Sequence, residues 1–327
     1  MAGLLAIGVF REHPPWALED VHADKVRRVA GSRFEVFQAH SLDELNSRIG
    51  DVEILYGFRI NEAILPLATS LKWVQSTSAG VDGALFPAFV ESPVILTSAS
   101  GIHAIQISEH ALAMMLSYSR NLPHFTRRQM KKDWDRSVTA DEMDELFEKT
   151  LGIVGLGAIG EALAVRAKAF GMRVIGVKNS PLGYSGVADE VVGPGAMERV
   201  FAESDFVVCL LPLTSETAGI VSAGMISAMK PTSLFLNFGR GATVDQEALV
   251  VALRYGKIAG AALDVFAEEP LPKNSRLWKM ENVSITPHVA GMTPRYWERA
   301  TALFCENLRR YMAGGELLNV VDKEIGY

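Results

Sequence analysis

A chain of 327 residues, 49% of them hydrophobic, is too long for one ordinary core and suits two domains. Its 32 basic and 38 acidic side chains leave a formal net charge of −6, so it carries no basic footprint for nucleic acid and no polybasic membrane patch. No apolar run approaches the roughly 20 residues of a membrane span. The two cysteines, Cys209 and Cys305, lie in apolar segments without metal-ligand spacing and read as buried reduced thiols, in keeping with a cytoplasmic protein that holds no metal.

The N-terminal stretch MAGLLAIGVF lacks a basic lead and turns charged at Arg11, which reads as a first strand rather than a secretory leader. Short β-like runs follow at Leu4 to Phe10, Phe34 to Phe37, Val52 to Tyr56, Leu71 to Ser76 and Val94 to Thr97. Helix-compatible segments, Leu42 to Ile49 and Glu62 to Thr69, stand between several of them. Strands alternating with helices predict a parallel α/β sheet, here over about a hundred residues. From Ile102 to Tyr118 a broad helical stripe runs through Ala104, Ile107, Ala111, Met115 and Leu116, which predicts a long buried helix. In it Met114 and Met115 read as core or subunit contact, and His110 beside Glu109 as a packed histidine. The charged stretch Arg127 to Lys149, with the isolated Trp134, reads as a surface arm.

Thr150 to Ala164, TLGIVGLGAIGEALA, is the stretch around which the rest is organised. An apolar run enters Gly155, Gly157 and Gly160 at GxGxxG spacing, and helical periodicity resumes at Ile159 and Leu163. A strand, a tight turn and a helix present backbone N–H groups and the positive end of a helix dipole to a pyrophosphate. Gly155 serves the turn, Gly157 the approach of the phosphates, and Gly160 the packing of helix on strand. Further strands are predicted at Arg173 to Val177, Glu190 to Val192, Phe206 to Leu211, Ser233 to Asn237, Gly260 to Val265 and Val283 to Thr286, the doubly wound pattern of a dinucleotide-binding unit. The last helix, about Arg295 to Met312, reads as a return of the chain to cap its first unit.

Three late strand ends carry candidate chemistry. NFGRGATVD places Arg240 between two glycines, DVFAEEP ends in Glu268 and Glu269 before Pro270, and TPHVAG presents His288. An arginine offers a planar fork that matches a carboxylate. A histidine with an ordinary pKa near ~6.5 gives or takes a hydroxyl proton, and a neighbouring carboxylate fixes its ring tautomer. That trio suits oxidation of a hydroxy acid or reduction of a keto acid by a nicotinamide. Taken singly each has a plain reading: Arg240 as a cap, the two glutamates as a solvated pair, His288 as a loop histidine. The spacing does not choose between Glu268 and Glu269. No nucleophile elbow, HExxH or P-loop is present, so hydrolase and phosphotransfer readings have no motif.

With these residues in view the sequence resembles the D-isomer-specific 2-hydroxyacid dehydrogenases. The resemblance runs through STSAGVD (Ser76 to Asp82), SEHALAMML (Ser108 to Leu116), VGLGAIG, LLPLTSET (Leu210 to Thr217), NFGRGATVD, ALDVFAEEPLP, TPHVAG and LLNVVDKEIGY. It implies two doubly wound parallel-sheet domains: a flavodoxin-like substrate domain, residues 1–100 with 293–327, and an inserted Rossmann coenzyme domain, residues 101–292, with the cleft between them. It implies that Arg240 binds the substrate carboxylate and carbonyl, that His288 is the acid/base, and that Glu269, directly before the proline, is its partner. The substrate carboxylate would also meet the Ser78, Ala79 and Gly80 turn, a sensible anion nest.

For the coenzyme, the resemblance implies contacts from Gly155, Gly157, Ala158, Ile159 and Gly160, from Leu211, Pro212 and Thr217, and from Phe238, Asp264 and His288. At the end of the strand Arg173 to Val177, NAD-specific members carry an acid that bonds the ribose hydroxyls. Here Lys178, Asn179 and Ser180 stand in that place, which predicts NADP with NAD possible. Lys178 pointing into solvent would instead give dual use. The expected activity is hydride transfer between NAD(P)H and a small 2-keto or D-2-hydroxy acid, of the glyoxylate or hydroxypyruvate reductase kind. Formate dehydrogenases carry glutamine where Glu269 stands. A nucleotide-sensing protein of the same fold without turnover is the alternative from another class. The family also implies a homodimer held by the long helix, with Trp134 reaching the neighbouring active site.

Overall fold

The computed structural model describes residues 2–10, 18–57, 60–139 and 143–327. Arg11, at which the leading strand is read to turn charged, and residues 140–142 of the charged arm lie outside the described residues. The chain forms two compact units, Met1–Ile102 with Thr293–Tyr327, and His103–Met292.

In the first unit, β1 (Gly3–Gly8), β2 (Phe34–Gln38), β3 (Val52–Gly57), β4 (Trp73–Gln75) and β5 (Ile95–Thr97) form a wholly parallel sheet of order β2-β1-β3-β4-β5, the flavodoxin-like order. Both faces are covered, which is why β1 reads as a continuous apolar run rather than an alternating one. Leu5 and Ile7 face a core shared with α1 (Asp20–Ala30) and the C-terminal helix Tyr296–Ala313, where Phe304 stacks on Tyr56 with ring centroids 4.1 Å apart. Leu4 and Ala6 face the opposite core, with Leu45 of α2 (Leu42–Arg48) and Phe89 of α3 (Pro87–Val90). Ser41 starts α2 by accepting from the Glu44 N–H at 3.1 Å, while the Glu44 carboxylate accepts from the His40 N–H at 2.8 Å.

The helix expected over Glu62 to Thr69 does not form. Only a single 3-10 turn, Leu65–Leu67, is present. Pro66 offers no N–H and disfavours helical geometry in the residue before it, so the apolar spacing there has no helix to serve.

In the second unit seven parallel strands run in the order β12-β11-β10-β9-β6-β7-β8. They are β6 (Thr150–Val154), β7 (Arg173–Val177), β8 (Glu190–Val192), β9 (Phe206–Cys209), β10 (Leu234–Asn237), β11 (Gly260–Leu263) and β12 (Val283–Ile285). The chain proceeds from β6 to β7 on one side and resumes with β9 on the other, so the switch-point crevice opens at the carboxyl ends of β6 and β9. On one face α4 (Ala104–Ser119) buries Ile107, Ala111 and Met115 against Leu163, Ala164 and Ala167 of α6 (Ala158–Ala169), over Leu151 and Ile153. Met115 is therefore core. On the other face α7 (Met197–Glu203), α8 (Ala223–Ala228) and α9 (Gln246–Arg254) supply Phe201, Ile226 and Leu249. The first residues of the arm, Arg127 to Met130, are the end of a helix that the charge pattern hides, α5 (Leu122–Met130), and Trp134 after it is 90% exposed. Cys209 and Cys305 are free and buried. Among the described residues no helix is long and apolar enough to cross a membrane.

Candidate active site

The glycine turn gives each of its glycines a separate physical task. Gly155 has φ +101°, a left-handed conformation, and with Leu156 donates its N–H to the Val177 carbonyl at 3.2 and 2.9 Å. A Cβ on Gly160 would stand 2.9 Å from the Gly155 carbonyl oxygen, so α6 lies against β6 only because that atom is missing. A Cβ on Gly157 would meet nothing within 4 Å. The backbone at Gly157 is thus open to approach, in front of the N-terminus of α6, whose bond from the Glu161 N–H to the Gly157 carbonyl leaves the Ala158 and Ile159 amides ahead of it. That open cradle at a helix N-terminus fits a dinucleotide pyrophosphate.

Lys178, at the end of β7, does not extend freely into solvent. Its ammonium donates to the Leu156 carbonyl, within the glycine turn, at 3.1 Å. Asn179 and Ser180 follow as exposed residues. After β9, the Thr217 hydroxyl donates to the Pro212 carbonyl at 2.6 Å and accepts from the Thr214 N–H at 2.8 Å, so its proton is spent on shaping the 212–217 turn.

Arg240 is bracketed by two close backbone approaches. A Cβ on Gly239 would lie 2.5 Å from the Leu211 carbonyl oxygen, and one on Gly241 only 1.9 Å from the Phe266 carbonyl carbon. The glycines of GRG let the loops after β9 and β11 close on either side of the arginine. Asn237, 2% exposed, accepts from the Gly239 N–H at 3.0 Å and donates to the Arg240 carbonyl at 3.1 Å, and the Thr243 hydroxyl donates to the same carbonyl at 2.6 Å. The Arg240 guanidinium donates to the Gly239 carbonyl at 3.0 Å.

Glu269 and His288 form a pair. One carboxylate oxygen of Glu269 accepts from the Phe266 N–H at 3.0 Å, and the other meets His288 Nδ1 at 2.7 Å. An ionised carboxylate only accepts, so Nδ1 carries the hydrogen and Nε2 is the nitrogen left to exchange a proton. Because Gly241 touches Phe266 and Phe266 holds Glu269, the loops carrying Arg240, Glu269 and His288 form one assembly on the adjacent strands β10, β11 and β12.

Asp264, 2% exposed, anchors the His288 loop. Its carboxylate accepts from the Thr286 hydroxyl at 2.6 Å and from the Val289 and Ala290 N–H groups at 3.0 Å each. Its backbone carbonyl accepts from the His288 N–H at 2.8 Å. These bonds hold His288 at φ +54°, a conformation that costs a non-glycine residue about 1–2 kcal/mol. Thr286 and Asn237 enter the sequence reading only as strand ends and motif boundaries, with no role of their own. Asn as the last residue of a strand, two residues before a glycine, is the available signal for the second.

In the first unit the turn Ser76–Gly80 follows β4. The Ser76 hydroxyl accepts from the Ser78 N–H at 3.0 Å, and the Ser78 carbonyl accepts from the Ala99 N–H at 3.0 Å. Ser78, Ala79 and Gly80 are partly exposed. A cavity of about 180 Å³ opens beside them, lined by Ile60, Val74, Ser76, Gly80, Val81 and Leu96 among others.

Comparison with known proteins agrees with this geometry. Residues 112–290 match the family model described as "D-isomer specific 2-hydroxyacid dehydrogenase, NAD binding domain". The chain is 32% identical to D-3-phosphoglycerate dehydrogenase of Methanocaldococcus jannaschii, over 93% of this chain and 58% of that protein. It spans about half the length of the phosphoglycerate dehydrogenases it matches. It is 30% identical to glyoxylate/hydroxypyruvate reductase B of Yersinia enterocolitica, over 94% of this chain and 95% of that one. Among solved structures, a D-isomer-specific 2-hydroxyacid dehydrogenase from Xanthobacter autotrophicus Py2, in complex with NADPH and MES, superposes with a TM-score of 0.85 at 29% identity, covering 100% of both chains. The glycine cradle, the Glu269–His288 pair and these matches lead to one conclusion: the chain belongs to the D-isomer-specific 2-hydroxyacid dehydrogenase family.

Proposed function

We propose that the chain is an NAD(P)H-dependent reductase that interconverts a small 2-keto acid and its D-2-hydroxy acid, with glyoxylate and hydroxypyruvate the first candidates. The observation that carries this reading is the 2.7 Å contact between His288 Nδ1 and Glu269, which commits Nε2 to proton exchange. When bound, the reduced nicotinamide supplies the hydride that reaches the carbonyl carbon. His288 gives its Nε2 proton to the keto oxygen, Glu269 stabilises the ring that carries it, and Arg240 holds the carboxylate and polarises the carbonyl. Ser78, Ala79 and Gly80 are assigned as a second set of carboxylate donors. The small cavity beside them suits a short side chain. Glu269, rather than glutamine, disfavours the formate dehydrogenase reading, and a sensor without turnover has no use for a paired acid/base.

The coenzyme would be held by the amides of Gly157, Ala158 and Ile159, by the loop Leu211–Pro212–Thr217, and by Phe238 and Asp264 near the nicotinamide. Lys178, Asn179 and Ser180 favour NADP, since a cation and two donors stand where an acid would repel the 2′-phosphate, and NAD remains usable. A cytoplasmic homodimer completes the reading. Free Cys209 and Cys305 suit a reducing compartment, and Ile105, Leu122, Met130 and Trp134, 44 to 90% exposed, supply apolar surface for a second copy. Trp134 would then reach the neighbouring active site.

The test is loss of absorbance at 340 nm with a panel of keto acids, in wild type and His288→Ala. Wild-type turnover that falls about a hundredfold or more in the variant, with cofactor binding nearly unchanged, is expected. A variant with normal turnover would remove His288 as the acid/base. Light scattering that reports a monomer at micromolar concentration would reject the dimer.

A further inference from the structure

The histidine of the SEHALAMML segment, read from sequence as a packed side chain, makes a directed bond. His110 Nε2 lies 3.3 Å from the Thr286 hydroxyl oxygen, and its ring meets Phe238 edge-on with centroids 5.4 Å apart. The direction of that bond follows from the rest of the chain of contacts. Thr286 has one hydroxyl hydrogen and gives it to the buried Asp264 carboxylate at 2.6 Å, because an ionised carboxylate cannot donate. The hydroxyl therefore meets His110 with a lone pair. His110 must be the donor through Nε2–H, with its Nδ1 unprotonated. Burial holds its pKa below the ordinary histidine value, against the smaller opposing pull of Asp264, and so keeps the ring neutral.

We infer that His110 is a positioning residue for the reaction: through Thr286 it fixes Asp264, and through Asp264 the loop that holds His288. The Thr286 hydroxyl is a rotor with two neighbours, the Asp264 carboxylate and His110 Nε2, and the His110 N–H leaves it one arrangement, pointing at the carboxylate. That carboxylate then faces the Val289 and Ala290 amides, which follow His288 and fix its left-handed backbone. Without the His110 donor, the hydroxyl swings free, one of the carboxylate's three bonds is loosened, and the acid/base shifts relative to its target. Small displacements of that kind cost rate far more than binding.

The inference rests on the reductase reading, and its test separates the two. Expected are a kcat about tenfold lower in His110→Leu and in Thr286→Val, no further loss in the double variant, and a keto-acid KM within about twofold of wild type. Conservative variants should rescue the rate: His110→Gln keeps an N–H donor at similar reach, and Thr286→Ser keeps the hydroxyl, so each should stay within about twofold of wild-type kcat. Independently of turnover, the Val289 and Ala290 amides should exchange about tenfold faster in His110→Leu and at the wild-type rate in His110→Gln. Wild-type protein that reduces no keto acid would remove the reductase reading alone, because the exchange measurement needs no substrate. Unchanged exchange in His110→Leu, a glutamine variant as impaired as the leucine one, or single losses that multiply in the double variant would overturn the inference. Should His110→Leu fail to fold, the Thr286 variants carry the same comparison.

Discussion

The turns at Gly155–Gly160 and at Ser76–Gly80 both follow a parallel strand and are both assigned to an anion, yet they are built by opposite means. The glycine turn is self-contained: a left-handed residue, a missing Cβ and the start of a helix do the work within six residues. The serine turn is held from far away. Tyr296, at the start of the C-terminal helix, donates its hydroxyl to the Thr77 carbonyl at 2.5 Å. Gln75, 1% exposed, bonds the Ser76 and Ser98 carbonyls at 3.0 and 3.1 Å and accepts from Asn307 at 3.0 Å. Asn307, itself fully buried, also exchanges bonds with both backbone groups of Leu318. A local device tolerates damage elsewhere, whereas a device assembled from distant segments transmits it.

That contrast is broken most forcefully at Asn307. Asn307→Ala strips three bonds from a site with no water access and should cost about 3 kcal/mol, lowering the melting temperature by roughly 5 °C or more. Calorimetry measures it, and a normal melting temperature would mean that the network is ornamental. The local device should show the reverse signature. In Gly157→Ala the added methyl meets no protein atom, so melting is unchanged while affinity for the reduced coenzyme falls about tenfold or more. Fluorescence titration reads the affinity, and unaltered binding would show that the open space over Gly157 is not the phosphate cradle.

At the rim of the same turn, Lys178→Asp removes the ammonium from the Leu156 carbonyl and puts a carboxylate where the ribose is expected. The ratio of kcat/KM for NADPH to that for NADH should fall by about tenfold or more and reverse. A wild type that strongly prefers NADH would defeat the coenzyme assignment. The smallest effect belongs to the distant brace. Tyr296→Phe deletes one hydroxyl and should raise the keto-acid KM about threefold to tenfold, while coenzyme affinity stays constant. A KM equal to wild type would place the Ser76–Gly80 turn outside the substrate's reach.

Much of this protein was readable residue by residue. The order of strands and helices, the three glycines, Arg240 and the candidate carboxylates and histidine all rest on local grammar: apolar runs, turn residues and strand ends. The choice of Glu269 over Glu268 rests on the resemblance, since spacing is silent; in the structure Glu269 is the glutamate that meets His288, at 2.7 Å. The helix expected at Glu62 to Thr69 is absent because Pro66, a local feature, overrides the apolar periodicity there.

What the sequence by itself determined was the set of parts, since conformational preference and hydrophobic period act over a few residues and leave their marks there. Only the tertiary structure decided what braces them. Gly241 touches Phe266 across 25 positions of chain, Asn307 reaches Gln75 across 232, and His110 reaches Thr286 across 176. A hydrogen bond between distant residues depends on where two independent segments end up, and neither segment's composition records the other's position. For that reason His110 looked like packing on an apolar helix and became, once Thr286 and Asp264 stood beside it, a donor aimed at the loop of His288.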